Sequence, residues 1–223
     1  MEITPNVHII SGTAVNCYLI VEPDGLTMID TGLPSYEKKI TGYIAALGRS
    51  VQDIKQILIT HADGDHVGSL AALKAASGAA ACANAIEAKA IRAGESSRDV
   101  EFTGLVKIIA GLLKRFFEYQ AVEIDQILAP GQELPTLGGL AVIPTPGHTP
   151  GHISFYAPSA GILFAGDSMR ASKDALIPSR GGNTWDEAEA LSSVRLQAAM
   201  NPKIVCVGHG PVIRDAAGKF PQG

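Results

Sequence analysis

Short apolar runs separated by turn residues dominate the first third of the chain. Val7–Ile10 is one such run, and Asn16–Val21 (NCYLIV) follows a glycine-containing turn. Pro23-Asp24-Gly25 carries hairpin-turn chemistry, so Leu26–Ile29 is expected to return as a strand ending at Asp30-Thr31-Gly32. Helical spacing first appears at Ile40, Ile44 and Leu47, with Ser35 placed to cap that helix. Ile54–Ile59 then reads as a strand, Val67–Ala76 as a helix and Ala79–Ala83 as a short buried strand.

The pattern resumes in the second half. Leu140–Pro144, Ile153–Tyr156, Ile162–Ala165 and Ile204–Val207 read as strands. Thr184-Trp185-Asp186-Glu187 reads as a capping box opening a helix to about Met200. Strands without helices followed by strands with them, repeated once, predict two sheets packed together with helices outside. One stretch departs from this pattern, a helical insertion at about 84–127. Within it Leu105, Ile108, Ile109, Leu112, Leu113, Phe116 and Phe117 form a broad apolar face opposite Lys107, Lys114 and Arg115. Core helix, lid and homodimer surface all fit that face. A length of 223 residues suits a single domain spanning 1–223.

Composition narrows the function. A net charge of −4 argues against nucleic-acid binding through a basic surface. No basic segment followed by a long apolar run opens the chain, and no stretch reads as a membrane span. Cys17, Cys82 and Cys206 lie far apart in apolar runs, as buried thiols of a reducing compartment do. The expectation is a cytoplasmic protein with no nucleic-acid or membrane partner.

The chemistry is concentrated in histidine. Of the six histidines, only His8 lies outside a Gly- or Asp-rich turn. The rest fall in THADGDH (60–66), TPGHTPGH (145–152) and GHG (208–210), each just after an apolar strand, and a fourth strand ends in Ala165-Gly166-Asp167. Neutral imidazole and ionised carboxylate are ligands for a divalent cation, and glycine lets the backbone turn tightly enough for them to converge. Four such strand ends in one chain point to a metal site at a sheet edge. No Ser-His-Asp pattern or phosphate-cradling loop competes with it.

THADGDHVG, TPGHTPGH, FAGD and GHG, in this order and at these separations, resemble the metallo-β-lactamase superfamily, from NCYLIV and MIDTG to VGHGP. The resemblance implies a four-layer αββα sandwich, an α/β fold. It implies a first metal site of His61, position 63 and His148, a second of Asp65, His66 and His209, and a bridging Asp167. His152 and Asp30 match positions that orient ligands from behind. The departure is Asp63, where the family usually has histidine. Residues 61, 63 and 65 share a side in extended backbone, so Asp63 can reach the first ion; pairing with a nearby base is the alternative.

Two ions at such a site share a water, lower its pKa and clamp a developing tetrahedral centre. The expected activity is hydrolysis of a small-molecule ester, thioester or lactone by a metal-bridging hydroxide, of the glyoxalase-II or lactonase kind, with Asp65 orienting the hydroxide. An iron-dependent oxidoreductase of the persulfide dioxygenase type, or a non-catalytic metal-binding protein, stays open. The carboxylate at 63 adds negative charge and a harder donor, which suits iron or manganese, with zinc acceptable. Iron-using flavodiiron relatives carry a carboxylate at the matching position. The loop Ser168–Asn183 holds Arg170, Lys173 and Arg180 against Asp174 alone. Arg180 is the candidate seat for an anionic substrate group.

Overall fold

The computed structural model describes residues 1–12, 15–98 and 117–221. It divides into two compact units, Met1–Ile127 and Leu128–Gly223.

The first unit is built on a mixed seven-stranded sheet in sequential order. β1 (Glu2–Thr4), β2 (Val7–Ser11), β3 (Asn16–Glu22) and β4 (Gly25–Ile29) form an antiparallel meander. β5 (Ile54–Leu58), β6 (Ala80–Ala83) and β7 (Gln126–Ile127) then add in parallel. Parallel neighbours need crossovers, and helices supply them. α1 (Glu37–Ala46) joins β4 to β5; α2 (Gly64–Val67) and α3 (Leu70–Ser77) join β5 to β6. α4 (Ala85–Ala93) follows β6. α1 buries Ile40 and Ile44, one turn apart, in a core with Leu19, Met28, Ile57, Leu70 and Leu73. Each such side chain stabilises the unit by about 1.5–3 kcal/mol.

The second unit carries a six-stranded sheet in the order β15-β14-β11-β10-β9-β8. Its strands are β8 (Glu133–Leu134), β9 (Leu140–Pro144), β10 (Ile153–Ala157), β11 (Ile162–Gly166), β14 (Ile204–Val207) and β15 (Ile213–Arg214). β11 and β14 are parallel, and α5 (Glu187–Ala199) lies between them in the chain. Leu163, Met169, Val194, Val205 and Ile213 share its core.

Local details differ from the expectations. Ser35 does not cap α1; it sits at φ 88°, and the cap is Tyr36, whose side chain makes no capping bond. The expected helix over Val67–Ala76 is two helices that break at Gly68-Ser69. The capping box at Thr184 is not formed: Asp186 is the cap, its Oδ1 accepting the N–H groups of Ala188 and Glu189. Thr184 instead bonds Ser179, Oγ1 to Oγ at 2.8 Å. The expected loop Ser168–Asn183 is largely a hairpin of β12 (Met169–Ser172) and β13 (Ala175–Pro178), with Lys173 in its turn at φ 54°. The apolar face over 105–116 lies outside the described residues; Phe117, its last member, is exposed.

Candidate metal centre

In the first unit the candidate ligands sit past the C-terminal end of β5. β4 and β5 run parallel with Ile29 opposite Leu58, so Asp30 and Thr60-His61 leave neighbouring strands at the same edge. Asp30 is buried at φ 57° and its carboxylate is a hub. Oδ1 accepts the Thr60 N–H at 2.9 Å, and Oδ2 accepts the Thr60 hydroxyl at 2.8 Å and lies 2.9 Å from His66 Nδ1. Thr60 Oγ1 in turn lies 2.9 Å from His61 Nδ1. Both histidines therefore have Nδ1 engaged by an oxygen group, which leaves Nε2 as the nitrogen able to ligate a cation. The rings are adjacent, with centroids 4.1 Å apart.

Alternation of side chains ends at Asp63, contrary to the expectation that 61, 63 and 65 share one extended side. Asp63 is extended (φ −77°, ψ 144°) and caps α2, whereas Asp65, half-buried, already lies in the helix's first turn. The Asp63 carboxylate makes no capping bond. Its Oδ1 accepts the Ser96 hydroxyl at 2.7 Å, and its Oδ2 lies 2.6 Å from Arg98 Nη2 and 3.5 Å from His61 Nε2. Two donors each about 2.1 Å from one tetrahedral ion stand roughly 3.4 Å apart. The His61–Asp63 spacing fits a shared cation.

Glu87, fully buried in the first turn of α4, supports the same loop. Its Oε2 accepts the Ala62 N–H at 2.8 Å, and the Ser97 hydroxyl reaches both carboxylate oxygens at 2.8 Å. Gly64 allows a further close approach: a Cβ there would stand 1.8 Å from the Phe117 carbonyl oxygen. Glu87, Ser96 and Arg98 were not legible as site residues, because the loop residues they hold, Ala62 and Asp63, lie 25 or more positions away along the chain.

In the second unit the parallel pair β11 and β14 ends with Gly166 opposite Val207, which places Asp167 beside His209. Asp167 Oδ2 lies 3.0 Å from His209 Nε2 and 3.7 Å from His148 Nε2. One carboxylate oxygen thus approaches two imidazole nitrogens at spacings that suit shared cations. His148 Nδ1 is engaged by Ser179 Oγ at 2.9 Å. Gly147 makes the turn possible: at φ 136° its Cβ would fall 2.3 Å from the Ala190 backbone in α5. His152 is arranged differently. Its Nδ1 lies 2.8 Å from Thr145 Oγ1, and its Nε2 accepts the Asp167 N–H at 3.0 Å. With both nitrogens so engaged it braces Asp167.

Among the described residues, His61, Asp63, Asp65, His66, His148, Asp167 and His209 all belong to His/Asp clusters able to hold a metal ion. The three cysteines are free and buried. Burial pushes their thiols up, Cys82 to about 11, so none is a nucleophile at neutral pH. Arg180 is exposed, one residue beyond the Ser179 that holds His148.

The family model of the metallo-beta-lactamase superfamily matches residues 10–209. The chain belongs to that superfamily. It has the superfamily's fold, mixed β-sheets flanked by helices in an α/β sandwich. A metallo-beta-lactamase family protein of Thermus thermophilus shares it at TM-score 0.74 and 22% identity, over 98% of this chain and 78% of that one. A metallo-β-lactamase of Cronobacter sakazakii is similar at TM-score 0.72 and 27% identity, over 94% of this chain and 77% of that one.

The uncharacterised protein YobT of Bacillus subtilis is 34% identical over 93% of this chain and 88% of its own length. A hydroxyacylglutathione hydrolase of Cereibacter sphaeroides is 28% identical over 74% of this chain. The matched region spans about half, 52%, of that enzyme's length. Members of the superfamily bind divalent metals and are mostly hydrolases. No helix among the described residues is long and apolar enough to cross a membrane.

Proposed function

We propose that this superfamily member is a two-metal hydrolase of a small-molecule ester, thioester or lactone. One observation carries the reading: His61, His66 and His148 each have Nδ1 engaged by an oxygen group, which prepares three Nε2 atoms as metal ligands beside carboxylates. The likeness to hydroxyacylglutathione hydrolases supports acyl transfer to water. On this reading His61, Asp63 and His148 hold one ion, Asp65, His66 and His209 hold the other, and Asp167 serves both.

Two divalent ions held by these residues would supply Lewis acidity and an acidified water. Asp65 would orient the attacking water toward the acyl carbon. Hydrolysis would then join the water oxygen to carbon as the C–O or C–S bond breaks, with a proton going to the leaving group. His152 keeps Asp167 in place through the Asp167 N–H. Asp30 keeps His61 and His66 in one tautomer. Arg180 seats an anionic substrate group through its forked guanidinium.

The test is a metal-stripped preparation assayed on a panel of esters, thioesters and lactones. Turnover is expected to vanish with chelation and to return with zinc, iron(II) or manganese(II). Asp167→Ala is expected to lose more bound metal than a change at any one terminal ligand. Turnover indifferent to chelation, full metal content in Asp167→Ala, or oxygen uptake on a persulfide without acyl hydrolysis would each overturn the reading.

A further inference from the structure

We propose that Arg98 balances the charge of Asp63 and thereby makes the first metal position the weaker of the two; this rests on the two-metal reading above. A carboxylate at position 63, where the resemblance to the superfamily implies histidine as the usual residue, adds one negative charge relative to a neutral imidazole. Arg98 places its Nη2 2.6 Å from Asp63 Oδ2, the same oxygen that lies 3.5 Å from His61 Nε2. The guanidinium thus occupies one side of the oxygen that faces the candidate cation. The side chains of Arg98 and Asp63 are 14% and 10% exposed, so solvent and salt screen the pair poorly. The extra charge expected from Asp63 is offset at its source.

Arg98 is held in place by its neighbours. Ser96 bonds Asp63 Oδ1, and Ser97 bonds Glu87, which in turn grips the Ala62 N–H. Three successive residues, 96 to 98, are therefore fastened around the loop carrying His61 and Asp63. Buried carboxylates back both positions: Asp30 meets His66 directly and His61 through Thr60, and Glu87 holds the Ala62 N–H. Arg98 adds a fixed cation against a candidate ligand oxygen of the first position. That added cation predicts unequal affinities and ordered loading.

Zinc titration of the metal-stripped full chain against a competing chelator tests this. The wild type is expected to fill in two steps, with Asp63→Asn abolishing the weaker one. Arg98→Met is expected to tighten the weaker step by on the order of tenfold or more. Removing a unit charge within on the order of 5 Å of a divalent ion has an effect of that order even in a water-like dielectric, before salt screening. The tighter step is expected to hold, and Arg98→Lys, which keeps the charge, to behave as wild type. Circular dichroism of the metal-free variants checks folding; should Arg98→Met not fold, Arg98→Gln carries the same expectation. An unchanged or weaker step in the folded neutral variant, or Arg98→Lys matching Arg98→Met, overturns the role of Arg98 alone. Absence of bound zinc in the wild type overturns the two-metal reading with it.

Discussion

Replacing Asp30 by asparagine exchanges one carboxylate oxygen for an amide NH2 and tests the tautomer argument directly. The carboxylate meets three groups: the Thr60 N–H, the Thr60 hydroxyl and His66 Nδ1. In Asp30→Asn the amide oxygen keeps the Thr60 N–H. The amide NH2 then faces Thr60 Oγ1 and His66 Nδ1. The hydroxyl can rotate and accept, but His66 can accept only by moving its proton to Nε2. A protonated Nε2 cannot ligate a cation. One charge-assisted hydrogen bond is lost, so metal-free stability should fall by about 2 kcal/mol. For a chain of this size that is roughly 4–8 °C in Tm. Metal affinity should fall as well, about 10–100-fold, as for other residues that orient ligands from behind. Thermal unfolding of the metal-free proteins and zinc titration against a chelator measure the two effects separately. A folded Asp30→Asn whose zinc affinity stays within about threefold of wild type would refute the claim that Asp30 selects the ligating tautomer.

Two further predictions address the substrate and the pH response. Arg180→Ala should raise KM for anionic acyl substrates more than for neutral ones of similar size; equal rises would remove its anion-seating role. For Asp125, burial alone would raise the carboxyl pKa, but hydrogen bonds from Lys74 and the Ala81 N–H outweigh it and hold the value below the ordinary one. A depressed folded pKa means that the stabilisation is present above the unfolded carboxyl pKa of about 3.9 and is lost as pH falls through the folded value. The urea midpoint of Asp125→Asn should therefore change less than that of the wild type below about pH 4, by a modest amount because the side chain is 43% exposed. Parallel acid profiles for the two proteins would refute it.

The backing of Asp63 alters what a carboxylate at that position means. Taken alone, the substitution of carboxylate for imidazole argues for a more negative first position with a preference for harder ions. On the role proposed for Arg98, its guanidinium 2.6 Å from the same oxygen offsets that added charge while the oxygen donor is kept. Donor hardness and net charge are thereby separated, and only the former remains as an argument for iron or manganese.

The strand pattern was legible in the sequence because a strand needs only a short apolar run and a turn to end it. Leu140–Pro144 and Ile204–Val207 are strands over the residues expected. The histidine-rich segments were legible for the same reason, since each follows such a run directly. Caps were not. Asp186 rather than Thr184 closes α5, and Tyr36 rather than Ser35 precedes α1, because a cap depends on which side chain the entering backbone turns toward the first N–H groups. The groups behind the ligands were least legible. Glu87, Ser96 and Arg98 belong to no recurring pattern, and their bonds to Ala62 and Asp63 span 25 to 35 positions of chain. Identity and local spacing determine which residues can bind a cation. Only the packing of β5, α2 and α4, which buries a carboxylate beneath Ala62 and a guanidinium against Asp63, decided the charge and orientation those ligands have.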